Sequence, residues 1–346
     1  GRQADRQAEH LFEMSAGMLA YADKVLQEPS VWRDRRKVLI DSLYFKGGLK
    51  LVYDAGATRT ASEAFDSRTG NCLSLVLMTA AFAKHLQLPV VYQQVLVDDE
   101  YSRSGDLFFV AGHVNVMLGR YGVSTRADEA QWLTIDFLPQ VELRGQRVVP
   151  LAERTVVAMF LNNRAAETLA EGDAASAYWW ARTALRYDAD FAAAANTLAI
   201  VYQRSGHLVA AERALRFVLE REPRSATAWA NLATLLTLMG RHDDARLAAT
   251  RLAELESHPP FFFYEQAKVA LQAGRAAEAR DLLKRELRRQ PQQHEVHFLL
   301  AQAYAALGDG RAAVRHLALA AENSPTRQSQ ALYSAKLARL RATTEQ

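Results

Sequence analysis

The sequence contains a single cysteine, Cys72, among 346 residues. That excludes an intrachain disulfide, and it excludes a structural zinc site built on two or more cysteines. A lone thiol fits oxidising and reducing compartments alike. Long apolar runs are missing: no stretch approaches the roughly 18 consecutive apolar residues of a membrane-spanning helix. An excess of one charge is missing too. The 42 basic and 39 acidic residues leave a net charge of +3. No Lys/Arg cluster with interleaved aromatics stands out, which argues against a nucleic-acid partner. At 49% apolar and 23% charged, the composition is neither fibrous nor low-complexity. The length suggests two or three domains.

What the sequence does contain is a period. Glycine recurs at Gly172, Gly206, Gly240, Gly274 and Gly308, a spacing of 34 throughout. Alanine follows each glycine five positions on, at Ala177, Ala211, Ala245, Ala279 and Ala313. Another alanine precedes each by seven, at Ala165, Ala199, Ala233, Ala267 and Ala301. Proline closes most units at Pro223, Pro259, Pro291 and Pro325. Small residues let two helices approach, the glycine turns the chain between them, and the proline ends the second helix. Trp229 and Phe263 share one large-residue column, and Tyr202 and Tyr304 the next. This pattern resembles the tetratricopeptide repeat from about Ala158 to Arg327. The first unit fits less well, with Thr168 in the tyrosine column and Ala189 in the proline column. Gln328 to Arg341 reads as a polar capping helix, which stacked repeats require.

The first 157 residues lack the period. Glu9 to Leu26 and Val31 to Tyr53 read as helices, Thr60-Ala61-Ser62-Glu63 as a capping box opening a short helix, and Cys72 to Leu86 as a buried helix. After Pro89, three β-branched and aromatic segments follow: Val90 to Val97, Leu107 to Leu118 and Trp132 to Leu138. They read as antiparallel strands. Helices followed by a sheet predict an α+β domain over 1–157, then an all-α solenoid over 158–346. The join, Val156 to Leu161, is apolar where a flexible tether would be polar, so the two parts are expected to dock rigidly.

A cysteine nucleophile needs its thiolate, which a helix N-terminus and a nearby imidazole both favour. Cys72 follows the turn-forming Arg68-Thr69-Gly70-Asn71, so it falls in the first helical turn. Only His10, His85 and His113 lie in this half of the chain. His85 is on the same helix, ~20 Å along it; His10 has no evident partner. His113 sits mid-strand, sharing a face with Asn115 and Met117. Asp136, within apolar Leu133-Thr134-Ile135-Asp136-Phe137, is the acid able to hold the imidazole. The ordered set Cys72, His113, Asp136 resembles the transglutaminase-like superfamily, with its papain-type arrangement, over about Thr58 to Pro139. With the repeats, the chain is similar to bacterial transglutaminase-like proteins carrying a tetratricopeptide tail. The resemblance implies acyl chemistry on amides by hydrolysis, deamidation or transfer to an amine, with neither metal nor cofactor. The Cys72 amide is the expected oxyanion donor, with Asn71 or Tyr44 as side-chain candidates. The alternative is a catalytically inactive scaffold for protein–protein interaction. The chain opens on Gly1 rather than Met, which reads as the loss of a tag or targeting segment. The bacterial periplasm or cell envelope is the expected location, with the cytoplasm as the alternative.

The other motifs carry no chemistry. His294-Glu295-Val296-His297 lacks the H-E-x-x-H spacing and reads as a solvated helix start. Lys46-Gly47-Gly48 lacks the rest of a phosphate loop. Trp179-Trp180 and Phe261-Phe262-Phe263 read as packing residues. The repeat resemblance implies a concave groove lined by the first helix of each unit. Its positions here are Asn162, Asn196, Tyr264 and Phe298 in one column, Lys268 and Gln302 in another, then Gln203 and Arg204. Asparagine both donates and accepts, which suits holding an extended peptide backbone. The expected partner is therefore a peptide or protein, with a rigid spacer as the alternative.

Overall fold

A computed structural model describes residues 1–27, 34–45, 48–49, 51–54, 57–104, 107–120, 132–137, 147–255, 261–289, 291–324 and 327–344. Pro259, Pro325, Lys46, Gly47, the end of the third expected strand at Leu138, and Pro139 lie outside them. The chain divides into two compact units, Gly1–Gly240 and Arg241–Gln346.

The first unit opens with α1 (Arg2–Glu9), α2 (Ala16–Leu26) and α3 (Arg35–Tyr44). Where the sequence suggests one helix from Glu9 to Leu26, only Ala16–Leu26 of that span is helical, and α1 precedes it, sharing Glu9 alone. The break falls where Ser15 turns extended and accepts from the Met18 amide as an N-cap. The second expected helix shortens to α3, opened by an Asp34 cap. At Gly48 a Cβ would lie 2.3 Å from the Ser42 carbonyl, so the backbone folds back more tightly than a helix permits. Next come β1 (Val52–Tyr53), α4 (Ala61–Ser67) with its capping box from Thr60 and Glu63, β2 (Thr69–Gly70) and α5 (Cys72–His85). Strand β2 runs parallel to β1 and delivers the chain straight to the α5 N-terminus.

A four-stranded antiparallel sheet follows, of β3 (Val90–Ser104), β4 (Leu107–Gly119), β5 (Trp132–Ile135) and β6 (Arg147–Leu151), in the order β5-β4-β3-β6. The fourth strand escapes a sequence reading because it is short and carries Pro150, which only an edge strand accommodates. Val114, Val116 and Leu118 join the core with most of α5. Helices α6 (Glu153–Ala170), α7 (Ala174–Tyr187), α8 (Ala192–Arg204), α9 (Leu208–Arg221) and α10 (Ala226–Leu238) complete the unit. Helix α6 is continuous through residues 157 and 158, and the apolar run 156–161 is buried throughout.

The second unit holds α11 (His242–Leu255), α12 (Phe262–Gln272), α13 (Ala276–Arg289), α14 (His294–Ala306), α15 (Gly310–Glu322) and the cap α16 (Arg327–Thr344). Helix α12 packs on α13, α14 on α15, and α16 on α15. All five periodic glycines adopt left-handed φ values of 74 to 91° with no atom within 4 Å of an added Cβ. Their role is conformational, not spatial.

Candidate functional site

Asn71 caps α5. Its Oδ1 accepts from the Ser74 amide at 2.9 Å and the Ser74 hydroxyl at 2.8 Å, while its Nδ2 donates to Thr58 Oγ1 at 2.8 Å. This fixes Cys72, half-buried, at the first helical position, where its own amide has no acceptor within the helix. Gly70 is needed here, since a Cβ would meet Ser74 Cβ at 2.7 Å.

On β4, His113 is buried and its Nε2 faces both Asp136 oxygens, Oδ1 at 2.8 Å and Oδ2 at 2.9 Å. Asn115, two residues along the same face, donates to Oδ2 at 3.3 Å. Burial is the largest single influence and pulls the His113 pKa down, but the hydrogen bonds and charges of Asp136 and Cys72 together outweigh it. The result is about 9. With Nε2 engaged by Asp136, Nδ1 is the nitrogen left for the thiol. It is buried and makes no hydrogen bond of good geometry, although the thiol lies close enough to act on the ring. At neutral pH the imidazole is therefore the charged, proton-donating form beside a sulfur at a helix N-terminus.

The two side-chain oxyanion candidates are otherwise engaged. The Thr79 hydroxyl donates to the Leu75 carbonyl at 2.7 Å, so the Tyr44 hydroxyl, 2.6 Å from it, is the donor of that pair. Tyr44 also packs on Phe137, and burial pushes its phenol pKa up. Asn71 acts as the cap described above. Among the described residues, no group of three or more His, Cys, Asp or Glu side chains could hold a metal, and no helix is long and apolar enough to cross a membrane.

The groove candidates divide by unit. In the first unit Asn162 and Asn196 are 5% and 4% exposed, and Asn231 is wholly buried, donating to Asn196 Oδ1 at 3.0 Å. Helices α8 and α10, which carry Asn196 and Asn231, pack against β4. Gln203 is half-buried, and Arg204 donates to the Leu169 carbonyl at the end of α6, 2.8 Å away. In the second unit Tyr264 and Lys268 on α12 stay half-exposed, with the Lys268 ammonium 5.7 Å from the Tyr264 ring and 3.2 Å from Glu265.

Two packing expectations need correction. His294 and His297 are not solvated. His297 Nδ1 lies 3.0 Å from His316 Nδ1 while its Nε2 donates to the Pro291 carbonyl, and His294 bonds the Tyr333 hydroxyl at 3.0 Å. Helices α15 and α16 supply those partners, and local spacing carries no signal of them. Of the tryptophan pair, Trp180 is buried but Trp179 is exposed.

Residues 196–259 and 264–327 match the tetratricopeptide-repeat family. Solved structures similar to this chain include a thermophilic tetratricopeptide-repeat protein of Thermus thermophilus, at 18% identity, covering 52% of this chain and 98% of that one, with a TM-score of 0.35. PilF of Pseudomonas aeruginosa is 21% identical, with 56% and 88% covered and a TM-score of 0.33. YrrB, described as having an unusual peptide-binding site, is 18% identical, with 52% and 92% covered and a TM-score of 0.28. No curated protein matches. The family match does not extend to the residues that resemble the transglutaminase-like superfamily. From Asn196 to Arg327 the chain is built of tetratricopeptide repeats, modules that bind peptides or proteins.

Proposed function

We propose that this chain is a protein-interaction scaffold that takes an extended peptide or protein segment along α12 of its second unit, with Tyr264 and Lys268 as contact residues. We read residues 1–157 as a cysteine-bearing domain and 158–346 as the repeat domain. The observation that carries the scaffold reading is a contrast in exposure. The groove asparagines of the first unit are buried, whereas Tyr264 and Lys268 keep an aromatic face and a charge within a ligand's reach. The test is selection of a displayed random-peptide library on the full chain. Recovered peptides should lose binding to Tyr264→Ala and Lys268→Glu. Peptides that bind both variants as well as the unaltered chain would overturn the assignment.

One observation favours a second reading, cysteine-dependent acyl chemistry. An imidazole clamped by both oxygens of a carboxylate lies beside the only thiol, at the N-terminus of a helix. In this reading the Cys72 sulfur bonds to an amide carbonyl carbon. His113 gives its proton to the leaving amine as the C–N bond breaks, and water or an amine then resolves the thioester. The experiment is mass spectrometry of iodoacetamide adducts across pH. Cys72 should label readily at pH 6 and more slowly in His113→Ala. Equal rates would make Cys72 an ordinary thiol.

A further inference from the structure

Four side chains connect the first repeat helix to the turn that holds Cys72. Glu167, on α6, divides its carboxylate. Oε1 accepts from the Thr58 amide at 2.7 Å, and Oε2 accepts from Arg164 at 2.8 Å. Thr58, 2% exposed, receives the Asn71 side-chain amide on its hydroxyl. Asn71 in turn accepts twice from Ser74, whose hydroxyl also receives the Arg59 amide at 2.8 Å. The chain of bonds ends one residue before Cys72. Burial raises the Glu167 pKa, while Thr58 and Arg164 both favour its ionised form. Networks of this kind hold their members in one arrangement only when each member is satisfied.

We propose that Glu167 is a positioning residue for Cys72. By fixing Thr58, and through it the Asn71 cap, a carboxylate on the first repeat helix sets where the sulfur stands relative to His113. The inference rests on the reading of Cys72 and His113 as a working pair. It adds that this pair is set by the repeat domain and not by the α+β domain alone. It also accounts for a feature of α6 that packing does not, a charged side chain reaching 109 residues back along the chain to a backbone amide. A sequence reading has no means of finding it, because Glu167 lies in a repeat helix among ordinary polar positions.

Two variants separate position from bulk. Glu167→Gln keeps an acceptor for the Thr58 amide, and Glu167→Leu removes it at similar size. In the full chain, iodoacetamide labelling of Cys72 at pH 7 should slow about tenfold in Glu167→Leu, with a displaced pH profile, and stay within about threefold of the unaltered rate in Glu167→Gln. Both variants matching the unaltered profile would overturn the proposal, as would Glu167→Gln falling as far as Glu167→Leu. Amide exchange at Thr58 and Ser74 supplies a readout independent of thiol chemistry. Protection should fall in Glu167→Leu and hold in Glu167→Gln, and unchanged protection in both would also overturn it. If the unaltered chain and His113→Ala label alike, the working-pair reading fails by itself, and the exchange measurement still decides whether Glu167 sets the turn.

Discussion

Replacing Asp136 by Asn should remove a pH dependence of stability that the His113–Asp136 pair builds into the first unit. The His113 side chain is 2% exposed and that of Asp136 10%, so solvent screens the pair little. The imidazole pKa stands at about 9 in the folded chain, against an ordinary value of 6.5. A histidine whose pKa is raised by folding stabilises fully below its unfolded value and loses that contribution as pH climbs through the folded one. The window is therefore pH 6.5 to about 9, and the contribution lost across it is roughly 3 kcal/mol at 1.36 kcal/mol per pH unit. In Asp136→Asn, burial, already the largest single influence on His113 and one that lowers its pKa, loses the Asp136 hydrogen bond and charge that oppose it, so the alkaline loss should vanish or reverse. All five tryptophans precede Arg241, so tryptophan fluorescence reports this unit alone. Urea unfolding at pH 6, 7.5 and 9.5 should show the unaltered chain losing stability steadily while the variant does not. Cys72→Ala should also reduce the alkaline loss, because the thiol adds to the rise. Parallel losses in the unaltered chain and Asp136→Asn would refute the argument.

The second unit should respond to acid instead. Burial holds His294 and His316 at about 4 and lowers His297. Their contribution is complete above about pH 6.5 and disappears as pH falls toward 4. Amide exchange in α14 and α15 should accelerate over that range, and an exchange rate flat from pH 7 to 4, corrected for intrinsic chemistry, would contradict this. Gly206→Ala and Gly274→Ala should each cost about 1 kcal/mol in denaturant unfolding, purely from their left-handed φ; unaltered midpoints would show that the turns relax freely. Asn231→Leu should cost about 1–3 kcal/mol by removing the buried donor to Asn196. Pairing it with Asn196→Leu should cost less than the two singles together, and strict additivity would mean that the bond carries no coupling.

The solenoid is legible because a 34-residue period repeats its own evidence five times. The site's local geometry is legible for a different reason. Turn residues and strand alternation act over three or four residues, so Cys72 in the first helical turn, and His113 with Asn115 on one face, follow from sequence. Long-range relations are not legible. Nothing near Asn196 says that β4 will pack on its helix, and nothing near His294 announces Tyr333. The same distance hides Glu167. The Ser15 cap and the extended Phe45 that ends α3 escape notice because each sits within a continuous run of good helix formers.

The glycine corners bear on how the chain can lengthen over generations. Each corner closes with bonds of its own backbone, and at the first of them Arg204 of the next unit adds a side-chain bond to the Leu169 carbonyl, so a 34-residue unit carries most of its corner with it when duplicated or lost. The two compact units differ in what such an event would disturb. In the first, α6 is tied to Thr58 and both α8 and α10 to β4, so an inserted unit there would shift register against fixed partners. In the second, α12 to α16 pack on helices one or two along the chain, and an inserted unit would meet only more of its own kind. Relatives of this chain should therefore gain and lose repeats between Gly240 and the capping helix, which would make that side the variable reader and the first unit an anchor of fixed length.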